Sequence, residues 1–284
     1  RGLGPDGRVH TNYEQTGSAT GRLASNDPNL QNIPIKTEVG RQVRTAFVPG
    51  DGFDTLLTAD YSQIEMRIMA HLSEDAGLIE AFNSGEDLHR FVGARVFGVD
   101  PADVTPTMRT KVKAMSYGLA YGLSPFGLSK QLRIEVSEAK ELIADYLARF
   151  GGVRDYLRGV VEQARIDGYT TTLFGRRRPF GDLTSTNRTL RENAERQALN
   201  SPIQGSAADV IKIAMLGIDA DIRERGLASR MLLQVHDELV LEIVAAELEE
   251  ITAIVTDRMG HAADLSVPLD VQVGSGPNWD AAAH

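Results

Sequence analysis

A long helical middle lies between strand-like segments at the two ends of the chain, and this order limits the fold more than any other sequence feature. Residues 53–59 form a short apolar run with β-branched content, as expected of a buried strand. From Ser62 to about residue 150 the pattern is mostly helical, and Pro101 and Pro106 each follow a capping residue, which is typical of helix starts. Apolar strands return only after residue 230. The sequence therefore predicts an α+β fold in which a helical subdomain is inserted into a domain with a sheet.

The residue pattern also predicts the smaller elements. Residues 1–45 are rich in Gly, Asn, Thr and Pro with little periodicity, which is typical of extended segments and loops. The other predicted elements are a helix capped by Ser137 that ends near residues 150–152, a helix at 153–167, a hairpin within 169–180, a helix at 189–225 interrupted at Ser201-Pro202, strands at 231–235 and 239–243, a helix at 245–260, a last strand at 267–273 and a loop at Gly274-Ser275-Gly276.

Composition narrows the functional classes. The 284 residues include no cysteine, which excludes disulfides, thiolate nucleophiles and cysteine-ligated zinc or iron–sulfur sites. No apolar run approaches the ~18 residues of a membrane helix. The net charge of −9 argues against a protein that coats nucleic acid with its whole surface. The charge is segregated, because residues 107–133 carry five basic side chains and no acid, whereas residues 237–250 carry six acids and no base. A local basic binding surface is therefore compatible with the acidic total.

Asp60 stands where the predicted strand of residues 53–59 gives way to a helix. A carboxylate at the end of an element is held rigidly and can reach a metal ion. Asp60 or Ser62 can also serve simply as the cap of the helix that follows. Spacing alone favours this capping interpretation.

A second acidic position lies between two apolar segments, in the run Val235-His236-Asp237-Glu238-Leu239. Hairpin tips normally carry Gly or Asn, so two adjacent acids are unusual there. Consecutive residues of extended chain point to opposite faces, so at most one of Asp237 and Glu238 is expected to face any one site. Two carboxylates about 4 Å apart repel by roughly 1 kcal/mol in water and about 4 kcal/mol at an effective dielectric constant of 20. If Asp60 and Asp237 converge, a magnesium ion would reverse that repulsion.

Arg109, Lys113, Tyr117 and Tyr121 recur at every fourth position. Each step of four residues in a helix drifts by about 40°, so the four side chains lie on one slowly turning stripe. Like charges at i and i+4 destabilise a helix by a few tenths of a kcal/mol, and a bound polyanion removes that repulsion. The stripe therefore fits a triphosphate with an aromatic platform beside it. A solvated basic face with packed tyrosines explains the same pattern equally well.

These three segments resemble motifs A, B and C of the family A DNA polymerases, in the family's order. The matching runs are Asp60-Tyr61-Ser62-Gln63-Ile64-Glu65, Arg109-x3-Lys113-x3-Tyr117-Gly118-x2-Tyr121-Gly122 and Val235-His236-Asp237-Glu238, and two further stretches agree, 20–23 with 28–34 and 200–205. The resemblance covers essentially the whole chain and supersedes the residue-level alternatives. It implies a polymerase palm, an antiparallel sheet with packed helices, at residues 1–75 and 186–284. A mostly helical fingers subdomain is implied at residues 76–185.

The resemblance also implies roles for the matched residues. Two Mg²⁺ ions would be held by Asp60, Asp237 and the backbone carbonyl of Tyr61, and the catalytic residues would be Asp60, Asp237 and Lys113. The nucleotide-binding residues would be Gln63, Glu65, His89, Arg109, Lys113 and Tyr117, with Glu65 as a steric gate against ribose and Tyr117 as the stacking ring. Primer–template DNA would contact Arg22, Asn29, Gln31, Asn32, Tyr121, Arg196, Asn200, Gln204 and His236, and Glu238 would be a peripheral acid.

The implied activity is template-directed addition of deoxynucleotides to a primer 3'-hydroxyl with release of pyrophosphate. The implied partners are primer–template DNA and deoxynucleoside triphosphates, with no membrane partner, in a monomer in the bacterial cytoplasm that associates with the nucleoid. The first residues lack an initiator methionine and the features of a signal peptide, so we expect a cut end. The family's thumb and its two nuclease-type domains would then be missing, and the grip on duplex DNA would be weak and salt-sensitive.

One residue departs from the commonest family pattern. Position 117 is tyrosine where many bacterial members carry phenylalanine. Its hydroxyl is expected to fill the gap left by a missing sugar 3'-hydroxyl, so we expect weak discrimination against dideoxynucleotides.

Three alternatives compete with the polymerase interpretation. A catalytically silent primer–template-binding fragment is the stronger rival, because every catalytic group can be present while the primer end is poorly held. An HD-type phosphohydrolase would combine His236-Asp237 with His71 or His89, but it needs histidines on separate helices. Single-subunit RNA polymerases share related motifs, and Glu65 at the gate position favours DNA.

Overall fold

A four-stranded antiparallel sheet contains the strands that the sequence predicts near residues 53–59 and 231–243. The computed structural model describes residues 3–35, 37–85 and 87–283. The sheet strands are β3 (Thr55–Tyr61), β6 (Arg230–Val235), β7 (Glu238–Ile243) and β8 (Val271–Gly276), in the order β6-β7-β3-β8. β3 is a central strand because it pairs antiparallel with β7 on one side and with β8 on the other.

The remaining elements within the described residues are two short hairpins, ten α-helices and four short 3-10 helices. The hairpins are β1 (Asn12–Glu14) with β2 (Ala24–Asn26) and β4 (Tyr169–Thr171) with β5 (Arg177–Pro179). The α-helices are α1 (Glu38–Thr45), α2 (Ile64–Ser73), α3 (Ala76–Asn83), α4 (Leu88–Phe97), α5 (Pro106–Ala120), α6 (Pro125–Leu132), α7 (Val136–Arg149), α8 (Gly151–Asp167), α9 (Arg188–Glu224) and α10 (Leu248–Gly260). The predicted mixed α+β class with an antiparallel sheet and packed helices is confirmed.

Both faces of β3 are covered, so its sequence is a continuous apolar run instead of an alternating one. On one face Leu56 joins a buried cluster with Trp279. On the other face α10 packs against the sheet through Ile251, Val255 and neighbouring buried residues. The hydroxyl of Tyr61, at the end of β3, donates a hydrogen bond of 2.8 Å to the backbone carbonyl of Met259. Burial on two faces fixes the position of the strand end at which Asp60 lies.

The segment Gly274-Ser275-Gly276 belongs to β8, and the loop predicted there is wrong. A Cβ atom on Gly274 would stand 2.2 Å from the carbonyl oxygen of Ala282, so the turn that follows the strand lies directly against its backbone. The two glycines are needed for this close approach. The last strand spans Val271–Gly276 and not 267–273 as predicted, because this is the length that pairs with β3 from Tyr61 to Leu56.

Three helix predictions are corrected. Residues 38–45 form α1, because the Thr37 hydroxyl accepts a hydrogen bond of 3.1 Å from the Gly40 N–H and caps the helix within the predicted loop region. Ser137 lies inside α7, which begins one residue earlier with Glu135 as its N-cap. α9 runs through Pro202 without the predicted interruption, since a proline removes only one N–H donor and its neighbours in the helix are buried.

Contacts divide the chain into two compact units. One contains Arg1–Ile64, Ala207–Asp264 and Leu269–His284, and therefore the four-stranded sheet; the other contains Glu65–Ser206 and Leu265–Pro268, with most of the helices. The predicted domain boundaries at 75/76 and 185/186 stay a prediction. Among the described residues, no helix is long and apolar enough to cross a bilayer.

Candidate active site

The unit that contains the sheet brings Asp60 and Asp237 together. Asp60 lies opposite Glu238 in the pairing of β3 with β7, and the backbone N–H of Tyr61 donates a hydrogen bond of 3.2 Å to the carbonyl of Asp237. Strands β6 and β7 are joined by His236 and Asp237 alone, and His236 adopts the left-handed φ of 55° that so tight a turn requires. The turn that lacks the usual Gly or Asn thus places an acid beside the end of β3.

The charges around Asp60 oppose its ionisation. Burial, as the largest cause, and the nearby carboxylates of Asp237 and Glu238 together raise the pKa of Asp60 to about 7, although a backbone hydrogen bond from Tyr61 acts against them. A divalent cation between the carboxylates would offset the burial and the repulsion that oppose the ionisation of Asp60. Among the described residues, no three His, Cys, Asp or Glu side chains form a metal-binding group. The donors that fit are therefore two carboxylates with a backbone carbonyl, an all-oxygen set that suits Mg²⁺.

Glu238 is held away from this pair by two residues that sequence reasoning missed. The indole Nε1 of Trp279 donates a hydrogen bond of 2.6 Å to the Glu238 carboxylate. The buried Arg44 guanidinium lies 4.0 Å from the centre of the Trp279 ring and 3.9 Å from Glu238. The sequence predicts that at most one of Asp237 and Glu238 faces any one site. These contacts are consistent with that prediction. The sequence signal that could have pointed to this contact is that Trp279 is the only tryptophan of the chain.

One residue predicted to meet DNA, Gln31, braces the β6–β7 hairpin. The amide of Gln31 donates to the carbonyl and to the side-chain oxygen of Gln234, each at 3.2 Å. Tyr13, which sequence reasoning missed, exchanges hydrogen bonds of 2.8 and 2.9 Å with the backbone of Gln234. Asn29 caps the short turn at Leu30–Asn32, and Asn32 is exposed. Arg22 lines a crevice together with His236 and Asp237.

In the helical unit, α4 and α5 form a basic surface that we define by His89, Arg109, Lys113 and Tyr117. Thr105 caps α5, and Val112 and Met115 bury its inner face, which leaves Arg109 and Lys113 exposed and Tyr117 half-buried. The buried ring of His89 lies 6.1 Å from that of Tyr117. The structure therefore brings together four of the residues predicted to bind the nucleotide.

His89 is neutral at physiological pH. The pKa of His89 is lowered to about 4, mainly by burial; the negative charge of Asp87 raises it, and the positive charges of Lys113 and Arg109 lower it. Its Nδ1 atom is buried and has no hydrogen-bond partner among the described residues. The ring can therefore exchange a hydrogen bond with a ligand without adding a charge.

Arg109 is already paired with a carboxylate that sequence reasoning missed. Its Nε and Nη2 atoms donate to the two carboxylate oxygens of Asp87 at 3.2 and 2.6 Å. Asp87 also caps α4, because its side chain accepts a hydrogen bond of 2.9 Å from the Arg90 N–H. The available signal was an acid two residues before His89 at a helix start. The pKa of Asp87 is lowered mainly by the Arg109 hydrogen bonds.

Glu65 and Tyr121 form a second pair in the helical unit. The phenol of Tyr121 donates a hydrogen bond of 2.5 Å to the Glu65 carboxylate. Glu65 is 5% exposed, whereas Tyr121 is 40% exposed at the end of α5. Glu65, the expected steric gate, is thus held in place by Tyr121, the residue expected to contact the template.

The remaining residues predicted to bind DNA or nucleotide do not form one cluster in the structure. Arg196, Asn200 and Gln204 recur at every fourth position of α9 and so share one face, with Arg196 the most exposed of the three. Gln63 lies just before α2 with a positive φ of 57°, and its buried Oε1 atom has no hydrogen-bond partner among the described residues. These positions are compatible with ligand contacts but do not identify the ligand.

Comparison with known proteins gives a consistent result. Residues 3–281 match the family model of DNA polymerase family A. The chain is 65% identical over 279 residues to DNA polymerase I of Mycobacterium tuberculosis, a match that covers 98% of this chain and 31% of that protein. It is 51% identical over 273 residues to DNA polymerase I of Caldicellulosiruptor bescii, covering 96% of this chain and 32% of that protein.

A solved structure is similar along the whole chain. It is the POL domain of Pol1 from Mycobacterium smegmatis in complex with DNA primer-template and dNTP, with a TM-score of 0.97 and 62% identity over 100% of this chain and 50% of that one. The chain spans about a third of the length of the curated relatives that it matches. Because the family match extends over nearly every residue, the chain belongs to DNA polymerase family A.

Proposed function

We propose that the chain catalyses template-directed DNA synthesis, the addition of deoxynucleotides to a primer 3'-hydroxyl with release of pyrophosphate, in DNA replication and repair. The observation that carries the proposal is the convergence of Asp60 and Asp237 at the end of β3, where burial and like charge favour a bound cation. The relatives named DNA polymerase I, and the similar structure that holds primer–template and dNTP, support the same conclusion.

Asp60, Asp237 and the backbone carbonyl of Tyr61 would hold two Mg²⁺ ions. When bound, the ions would lower the pKa of the primer 3'-hydroxyl and stabilise the charge that develops on the transferred phosphoryl group. The protein's own contribution is the rigid placement of the two carboxylates, since β3 is buried on both faces. Glu238, bound to Trp279, contributes a peripheral negative charge and no proposed ligand atom.

The basic surface of α4 and α5 would bind the incoming nucleotide. Arg109 and Lys113 supply two positive charges one helical turn apart for the triphosphate, and Lys113 would act on the leaving pyrophosphate. Neutral His89 would add a hydrogen bond to the same phosphates, and Gln63 would belong to the same nucleotide-binding set. Tyr117 would stack on the base.

Glu65 would select deoxyribose. Its carboxylate is buried and bound to Tyr121, so it is unable to swing aside for a ribose 2'-hydroxyl without breaking a hydrogen bond of 2.5 Å. Tyr121 would in turn meet the template base and move when the fingers close.

The DNA-binding set would be Arg22, Asn29, Gln31, Asn32, Tyr121, Arg196, Asn200, Gln204 and His236. We propose contacts in the minor groove, where purine N3 and pyrimidine O2 are acceptors shared by all base pairs, so that pair shape is tested without reading sequence. Gln31 and Asn29 would serve this surface indirectly, by supporting the hairpin.

The finer assignments also belong to this proposal. The palm would comprise residues 1–75 and 186–284 and the fingers residues 76–185. The expected monomeric state and nucleoid association in the cytoplasm remain parts of the proposal as well.

The test is extension of a labelled primer on a template with Mg²⁺ and all four deoxynucleotides at low salt. We expect template-directed products that disappear in Asp237→Ala and persist in Glu249→Gln, which removes an exposed acid from α10. Primer–template binding is measured in parallel by fluorescence anisotropy. Intact binding without extension in the unmodified chain would reject catalysis and identify the silent binding fragment as the correct alternative.

A further inference from the structure

The guanidinium of Arg109 is occupied before any nucleotide arrives. Asp87 binds it through the Nε and Nη2 atoms, the edge with which arginine grips a phosphate or a carboxylate with two parallel hydrogen bonds. Both side chains are about half exposed, so an incoming anion can reach the pair from solvent. They line an open crevice with Arg90 and Pro101.

Asp87 is fixed in place independently of Arg109. It caps α4 through a hydrogen bond from the Arg90 N–H, and its position is therefore set by the start of that helix. Arg109 reaches it from the adjacent helix α5. A phosphate that binds the same edge of Arg109 must displace a carboxylate that stays nearby and repels it.

We propose that Asp87 is an internal competitor for the phosphate groups on Arg109, and that it weakens the binding of triphosphate and of pyrophosphate alike. This inference rests on the proposed function, in which Arg109 binds the triphosphate. A uniform weakening of both ligands raises the KM for the nucleotide and speeds the release of pyrophosphate. The acid in a basic surface thereby limits how long the product stays bound.

The size of the effect follows from the exposure of the pair. Exposed ion pairs are weak, and their loss corresponds to a change of about 1.5- to 5-fold in an equilibrium constant at 25 °C. Salt screens exposed charges, so the effect should shrink as ionic strength rises.

The variant that tests the proposal is Asp87→Asn. Asparagine is as good an N-cap as aspartate, so the start of α4 is preserved while the charge is removed. The matched control is Glu80→Gln, which removes the carboxylate of another exposed pair in the helical unit, Arg95–Glu80 at 2.6 Å. Calorimetric titration with inorganic pyrophosphate gives Kd without requiring chemistry, and primer extension gives the KM for nucleotide and the inhibition constant of pyrophosphate.

We expect Asp87→Asn to lower the pyrophosphate Kd and the nucleotide KM by the same factor, about 1.5- to 5-fold at low salt, with a smaller change at 0.5 M salt. Glu80→Gln should leave both constants unchanged. Unchanged or weaker pyrophosphate binding in Asp87→Asn would overturn the proposal, because it would make Asp87 a support for Arg109 and not its competitor.

Arg109→Gln separates this inference from the function on which it rests. If Arg109→Gln leaves pyrophosphate and nucleotide binding unaltered, Arg109 does not bind phosphate and the proposed nucleotide site is wrong. If Arg109→Gln weakens binding, the site stands. Asp87→Asn should then have a smaller effect in the Arg109→Gln background, where only its repulsion of the phosphate is removed. An effect of the same size in both backgrounds would overturn the competitor role alone.

Discussion

Asp60 shows how one residue depends on surroundings far from it in sequence. Its own neighbours form an ordinary strand end, for which capping was the simplest interpretation. The raised pKa comes from burial and from two carboxylates on the β6–β7 hairpin. In the same way, the partner of Arg109 is Asp87, the N-cap residue of the preceding helix α4, and not a residue of its own stripe. The pKa of Asp60 and the ion pair of Arg109 therefore depend on contacts that the local sequence pattern does not indicate.

The raised pKa of Asp60 predicts a pH-dependent effect of Asp60→Asn on stability. The folded state holds the proton up to a pKa of about 7, whereas the unfolded chain releases it near 3.8. Ionisation therefore favours unfolding increasingly between about pH 4 and 7 and by a constant amount above that. Asp60→Asn has no such group, so in chelator its melting temperature should exceed that of the unmodified chain by a margin that grows from pH 4.5 to 7.5. A margin independent of pH would contradict the raised pKa.

Tyr117 predicts a specificity effect at a single atom. If its hydroxyl replaces the missing sugar 3'-hydroxyl, Tyr117→Phe should increase the preference for deoxynucleotide over dideoxynucleotide while extension with deoxynucleotides stays nearly unchanged. The loss of one hydrogen bond in a ligand site corresponds to roughly 5- to 10-fold in the ratio of kcat/KM values. Single-nucleotide incorporation with each type of nucleotide measures this ratio, and an unaltered ratio would exclude the hydroxyl as the cause.

At the scale of elements, prediction worked where the signal was local. The apolar run of β3, the two apolar segments of the hairpin and the Thr105-Pro106 start of α5 each carry their information within a few residues. The prediction was wrong at α9, because the free-energy cost of Pro202 within the helix is smaller than the stabilisation from packing a long helix. It failed at β8 because Gly274 looks like a loop residue until its contact with Ala282 is known.

The close approach of Gly274 to Ala282 predicts that an added methyl group at this position of β8 destabilises the fold. Gly274→Ala would place a Cβ 2.2 Å from the carbonyl oxygen of Ala282 and push the turn that carries Trp279 away from the sheet. We expect a loss of about 1–3 kcal/mol in the free energy of unfolding, measured by urea denaturation. Gly159→Ala is the matched control, since Gly159 lies within α8 with no atom in reach, and alanine there should stabilise by up to about 1 kcal/mol. Equal effects of the two substitutions would refute the steric argument.

At the scale of the whole molecule, an acidic protein is proposed to hold DNA with few positive charges. The net charge is −9, and only Arg22 and Arg196 among the proposed DNA-binding residues are cationic. Neutral Asn and Gln side chains supply most of that surface. Charge therefore contributes little to the hold on DNA, and shape complementarity in the minor groove must contribute the rest.

This charge balance predicts that primer–template binding has the salt sensitivity of about two phosphate contacts. Each phosphate contact contributes a slope of about 0.9 in log K against log salt, so two contacts correspond to roughly a tenfold loss of affinity between 50 and 200 mM salt. Arg196→Gln should reduce the slope by about one. Anisotropy titrations at several salt concentrations provide both values. A loss approaching a thousandfold would show that other cations, such as those of the β4–β5 hairpin, also contact phosphate.

The order of strands also determines when the acidic pair can form while the chain is being made. Both neighbours of β3 are synthesised late, because β7 begins at Glu238 and β8 ends at Gly276. Translation adds about 5–20 residues per second, so β3 is complete on the order of ten seconds before either partner strand exists. During that interval Asp60 has no Asp237 beside it. A nascent chain, or one on a ribosome stalled before β7, therefore holds a strand with two unpaired edges and no pair of carboxylates.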